Sequence, residues 1–330
     1  MLQLKNNTPF AASMVLLPDA NGVDTLFVMV SATFSIGAEL SLLETQPPPH
    51  AADVYWGAPS KSSLKYASDH HLGKLATDIV LVGDACAPRG QQVTQLDVDL
   101  SVGSVTKIVR VFGDRYWRDG GITAPKPFVK MPLVYERAYG GVHLVEGAID
   151  SAEPRNPVGR GHAGKRSESD MHDVLLPNLE DPSQLIQTHT DQPTPACFGF
   201  CAPHWQPRAA YAGTYDDAWQ NTRAPYMPKD FDARFFNMAH PDLIYPGFLQ
   251  GGEMVKIARM HPDSDLQFEL PQRRFSVEVN IDGKITQPAL NMETLLLQPN
   301  ALQMSMVWRG AVPCDKKGLK IRHIRIDMLS

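Results

Sequence analysis

The chain has 330 residues, with 31 basic against 36 acidic side chains, a net charge of −5 and a pI near 6.1. Hydrophobic residues make up 43% and charged ones 20%, which excludes wholesale disorder, and the acidic balance argues against a general nucleic-acid binder. No apolar run approaches the roughly 18 residues of a membrane helix, four cysteines do not make a disulfide scaffold in a chain this long, and MLQLKNNTPF lacks the pattern of a secretory signal. A globular protein of the cytoplasm is expected.

Taken in chain order, the first element is Leu26 to Phe34, rich in β-branched and aromatic residues and preceded by the turn signal Asn21-Gly22. Val93, Leu96, Val98, Leu100 and Val102 then alternate with polar residues, a strand with one buried face. A turn at Gly103 leads into Val105 to Phe112, which closes a hairpin. Seven prolines lie in 1–120, fifteen in 121–250 and five in 251–330, so turns crowd the middle of the chain. Two short helices are expected there: Ser183 to Thr188, behind Asp181-Pro182, and Asp230 to Ala239, with Phe231, Phe235 and Met238 on one face. Beyond them Phe275, Val277, Val279 and Ile281 form a strand, and Asp282-Gly283 supplies the positive φ angles of a type I′ hairpin turn. Leu295 to Leu297, a Pro299-Asn300 turn and Leu302 to Trp308 follow. Last comes an alternating stretch of Leu319, Ile321, Ile324 and Ile326 with Lys316, Lys317, Lys320, Arg322 and Arg325, which reads as a charged edge strand.

The expected class is therefore mainly β: antiparallel, sandwich-like sheets with a long loop-rich middle region and a few short helices. Three regions follow from the composition, an N-terminal β region over 1–120, a loop-rich middle over 121–250 and a C-terminal β region over 251–330 that packs with the first. Motifs that carry chemistry are weak. Gly159, Gly161 and Gly164 match a dinucleotide spacing, yet neither a buried strand before them nor an apolar helix after them is present, so they read as a loop. Cys197, Cys201 and His204 lack a fourth close ligand for zinc and read as buried apolar thiols beside a histidine. His70-His71 reads as a polar loop.

Asp216, Asp217, Asp230 and Asp232 gather within seventeen residues, near His240. Paired carboxylates beside aromatic rings are the equipment of a metal- or carboxylate-dependent hydrolase. Capping of short helices explains the same residues and is preferred. The surrounding rings offer a different chemistry. Trp, Tyr and Arg dominate binding hot spots because they bury much area at little entropic cost. Trp205, Arg208, Tyr215, Trp219, Phe231 and Phe235 are accordingly the candidate contacts for a protein partner.

A run of motifs carries a family resemblance: PLVYERAYGG (132–141), NPVGRG (156–161), LPNLEDP (176–182), Trp205 with Pro207-Arg208, AGTYDDAW (212–219), PKDFDARFFNMAHPDL (228–243), LQGGE (249–253), ETLLLQPN (293–300) and VWRG (307–310). In these the chain resembles the bacterial family catalogued as domain of unknown function twenty-one sixty-nine, adaptor proteins associated with type VI secretion. The resemblance implies a non-enzymatic cytoplasmic adaptor or chaperone without a cofactor. Its implied partners are a cognate secreted effector, met through its PAAR or N-terminal region, and the spike protein on which the effector is loaded. No membrane insertion and no nucleic acid belong to that picture, and no catalytic residue carries over.

Overall fold

A computed structural model describes residues 3–329. Strands take up 41% of the chain and helix 10%, so the protein is mainly β, with several antiparallel sheets and no closed barrel. The largest sheet has the order Ala11–Pro18, Asp24–Ser35, Gln303–Pro313, Asn291–Gln298, Asp78–Leu81. Asp24–Ser35 and Gln303–Pro313 run antiparallel side by side from Thr25 opposite Pro313 to Ser35 opposite Gln303, so the two ends of the chain share one sheet.

The strand Asp24–Ser35 is buried along almost its whole length, which means that both faces are covered. Its two faces differ. Leu26, Val28, Val30, Ala32 and Phe34 belong to the main apolar core, whereas Ser31 and Thr33 on the other face sit beside Ser305 and Val307, with Thr33 and Ser305 sharing a 2.8 Å hydroxyl hydrogen bond. Over the apolar face lies a four-stranded sheet, ordered Gln3–Asn6, Ile321–Leu329, Arg274–Ile281, Lys284–Thr286, anchored where Phe275 meets Trp308 edge-on at 5.1 Å. The type I′ turn forms as the dipeptide predicts, with φ of 55° at Asp282 and 88° at Gly283.

A third sheet joins the expected hairpin Gln95–Val102/Val105–Phe112 to Met254–Ala258 and Leu266–Glu269 on one side and to Leu179–Glu180 on the other. Val98, Leu100, Val109, Val255 and Ile257 from this sheet enter the same core as Val277, Ile324 and Leu26. A smaller core in the middle region gathers Trp117, Tyr139, Met171 and Leu176.

Three expectations are corrected. The last strand is not an edge: Ile321–Leu329 lies between Arg274–Ile281 and Gln3–Asn6, the latter pairing in parallel. Alternation reports which face is buried, and it carries no information on whether a partner arrives from the far end of the chain. The segment Ser183 to Thr188 is not helical, because Asp181 accepts from the Ser183 amide (2.8 Å) and hydroxyl (2.7 Å) in a closed local turn. The run Asp230 to Ala239 yields only a 3-10 turn, Ala233–Phe236, since the amides of Phe231, Asp232 and Met238 bond outside the segment, to Pro228, Tyr211 and Asp78. Asp217–Thr222 is the one α-helix among the described residues.

Candidate functional site

Part of the middle region packs on the polar face of the large sheet, where a buried ionic lattice includes the carboxylate, Asp78, that holds it. Lys74 Nζ lies 2.7 Å from Asp78 Oδ2 and donates to Thr294 Oγ1 at 2.8 Å, with both charged groups essentially without solvent contact. Asp78 also accepts from the Asn237 side chain (3.0 Å) and the Met238 amide (2.8 Å), which fastens the Phe235–Met238 segment to the sheet. Arg309 Nε pairs with Glu293 at 3.0 Å while its terminal nitrogens donate to the carbonyls of Asp69 and His71. Removing one partner of such a pair leaves an uncompensated buried charge, which costs about 3–5 kcal/mol.

His71, expected in a polar loop, is instead buried and stacked on Phe236 at 5.6 Å, and burial followed by the charges of Arg309 and Lys74 holds its pKa well below the ordinary histidine value. Glu293 and Arg309 fall within the motifs ETLLLQPN and VWRG, yet no buried ion pair is read from the sequence for them or for Lys74 and Asp78. The one available signal is that Lys74 and Asp78 open the apolar run Ile79–Val82, a poor place for solvated charges.

From this base the segment 211–236 extends outward as a flap. Asp216 in extended conformation caps the helix Asp217–Thr222, its Oδ1 accepting from the Trp219 amide at 2.8 Å. Trp219 Nε1 donates to the Tyr226 carbonyl (2.8 Å), so the indole ties the helix to the return segment, and the Tyr215 ring meets it edge-on at 4.7 Å. The flap then docks on the first hairpin. Arg223 donates to the Ala20 carbonyl at 2.8 Å, and the Tyr226 ring lies over Gly22 so closely that a Cβ there would stand 2.5 Å from a ring carbon. Tyr215 remains 56% exposed and Tyr226 42%, with Trp219 half-buried between them. Trp219, Pro228 and Lys229 line an open cleft of about 380 Å³.

The six candidate contacts thus separate. Trp205 is fully buried against Tyr135 (5.2 Å, edge-on), and its indole N–H donates to His204. Arg208 is buried too, its guanidinium donating to the carbonyls of Cys201 (2.6 Å) and Phe235 (3.0 Å). Phe231 and Phe235 cluster with Phe236 at 5.4–5.6 Å and are half-buried at the flap's root. Tyr215 and Trp219 are left at the surface, and Tyr226 joins them.

The carboxylates serve local geometry. Asp230 accepts from the Thr214 amide (3.0 Å) and hydroxyl (2.7 Å), and Asp232 accepts from the Arg234 amide (2.9 Å). Those same bonds, from the Thr214 hydroxyl and the Arg234 guanidinium foremost, hold both acids below the usual carboxylate range. A proton-donating acid in a two-carboxylate hydrolase needs the opposite shift. His240 is buried, its pKa lowered to about 4 by burial first and by Lys107 next. One ring nitrogen donates to the Pro195 carbonyl and the other accepts from the Asp242 amide. Among the described residues no three His, Cys, Asp or Glu side chains converge as a metal-holding group.

Cys197 and Cys201 are free and buried, donating or accepting at the Leu133 carbonyl and the Tyr135 hydroxyl, and burial pushes the Cys197 thiol up to about 12. His204 is exposed and accepts from the Trp205 indole. The glycines of GRGHAG serve the chain crossing instead. Arg160–Gly161 pairs in parallel with Tyr139–Gly140, and a Cβ on Gly159 would meet the Ala138 carbonyl at 2.7 Å.

No helix among the described residues is long and apolar enough to cross a membrane. A family model described as "Uncharacterized protein conserved in bacteria (DUF2169)" matches residues 21–309. No curated protein and no solved structure matches the chain.

Proposed function

The chain belongs to that family, and on this premise we propose that it is a non-enzymatic adaptor which binds a cognate secreted effector in the cytoplasm, stabilises it and helps load it on the spike of the type VI secretion machine. One observation supports the reading above others: the flap displays Tyr215 and Tyr226 at the surface with half-buried Trp219 between them, on a segment held at its outer part by Arg223 to Ala20 and at its root by Asn237 to Asp78. Aromatic side chains held in place from behind lose little entropy on contact, which is what a binding hot spot requires. The effector's PAAR or N-terminal region and the spike protein are the partners this reading assigns.

The test is titration calorimetry of a purified effector against the wild type and the triple variant Tyr215→Ala/Trp219→Ala/Tyr226→Ala. Loss of two or three hot-spot rings is expected to weaken binding by about 100-fold or more, at 1.4 kcal/mol per decade. Unchanged affinity in a variant with a native circular dichroism spectrum removes the flap from the interface.

A further inference from the structure

The end of the four-stranded sheet carries a second surface that the flap leaves unused. Asp282 and Gly283 turn the hairpin there, and the Asp282 amide donates to the Lys320 carbonyl at 3.0 Å, which seats the loop 315–320 beside the turn. Lys284, Lys316, Lys317 and Arg322 stand exposed at this end without an ion pair among the described residues, while Lys320 pairs with Asp282 at 3.0 Å. The Asp282 carboxyl is held below its ordinary range by the Lys320 hydrogen bond first and by the Lys320 charge next, with Lys317 and Arg322 contributing, so the cations crowd a single carboxylate. Five cations against Asp282 and Asp315 leave this end at +3, on a chain whose net charge is −5.

Aliphatic side chains stand among the charges. Leu319 is 104% exposed, touching nothing, and Ile285 is 54% exposed. Leu16 is half-covered by the loop, for a Cβ on Gly318 would stand 2.6 Å from Leu16 Cδ2. Leu319 lies between Lys317 and Lys320 and Ile285 follows Lys284, so exposed aliphatic side chains alternate with the cations along both segments. We propose that this end is a docking surface for an acidic segment of a partner protein that carries aliphatic side chains. Charge complementarity selects the acidic partner and steers its approach. The aliphatic side chains interspersed with the cations favour a peptide over a nucleic acid, because a phosphodiester gains nothing from Leu319 or Ile285. The surface adjoins the flap through the first hairpin, which the loop meets at Leu16 and the flap at Ala20 and Gly22. The inference stands on this end's own residues and does not need the effector reading.

Fluorescence anisotropy with three labelled peptides tests it: glutamates interspersed with leucines, the same peptide with glutamine for glutamate, and the same with serine for leucine. The first is expected to bind, and the other two to bind at least about fivefold more weakly, with affinity for the first falling as salt shortens the Debye length. Lys316→Glu/Lys317→Glu abolishes binding and Leu319→Ser weakens it about threefold, Leu319 being too exposed for its loss to disturb folding. Equal binding of the serine peptide with no effect of Leu319→Ser means a plain polyanion sink and overturns the proposal. So does a short DNA duplex that outcompetes the first peptide, and so does unchanged binding after charge reversal.

Discussion

His240 shows how a single buried group translates into a measurable property. Folded, it stays neutral with a pKa of about 4, whereas the unfolded chain binds its proton near 6.5. Above pH 6.5 both states are neutral and its contribution to stability is complete. Between 6.5 and about 4 only the unfolded state takes the proton, so stability drains away as pH falls, by about 3 kcal/mol. Asp69 and Glu293, raised by burial, work in the opposite sense near their own range, because there the folded state takes the proton first. Urea titrations at pH 7 and pH 4.5 are therefore expected to show a shallower loss of stability in His240→Gln than in the wild type. Parallel losses would mean that His240 is not the neutral buried group described. Residues of this kind are hard to read from sequence. Lys74 and Asp78 look like solvated charges ahead of a strand, and only the arrival of Asn237, Thr294 and Glu293 from distant segments makes them a lattice.

At the scale of elements, the outcome divides by how local the determining interaction is. Alternation and the Asp282-Gly283 turn are properties of neighbouring residues, and the hairpins Gln95–Phe112 and Arg274–Thr286 formed where they were expected. The C-terminal strand reads as an edge from its sequence because its parallel neighbour, Gln3–Asn6, lies at the opposite end of the chain. Helix signals in the middle region failed for a third reason. Asp181 accepts from the following Ser183 and Asp230 from the distant Thr214, which uses in turns the side chains that read as caps. Asp216 alone caps an α-helix, as the preferred reading of the acidic cluster allowed. The flap that this helix supports depends on Gly22, whose φ is +83° and whose missing side chain admits the Tyr226 ring. Gly22→Val is expected to release the flap, raising amide exchange across 217–226 by about tenfold or more while 26–34 keeps its protection. Uniform exchange across both segments, or no change, would contradict the docking.

In the whole molecule, the large sheet is a partition. Its apolar face packs on the four-stranded sheet through Phe275 and Trp308, and on its polar face buried Asp78 holds the middle region through the Asn237 side chain and the Met238 amide. That division explains why a long irregular stretch can sit inside a compact β protein without strands of matching length: its backbone is fastened by buried Asp78, Asn156 and Asn178. It also leaves the middle region's outer surface free for Tyr215, Trp219 and Tyr226. The mainly β class and the aromatic surface were both within reach of the sequence, whereas the separation of Trp205 and Arg208 from the exposed rings required their depth to be known. The proposed adaptor role requires this surface to hold a secreted effector. Its most direct test is to purify the tagged chain from its own host, grown with the secretion genes expressed, and to identify by mass spectrometry what accompanies it. An effector or spike protein in near-stoichiometric amount, lost in the flap variant, is the result predicted. Recovery of the chain alone, with those proteins present in the same cells, would contradict it.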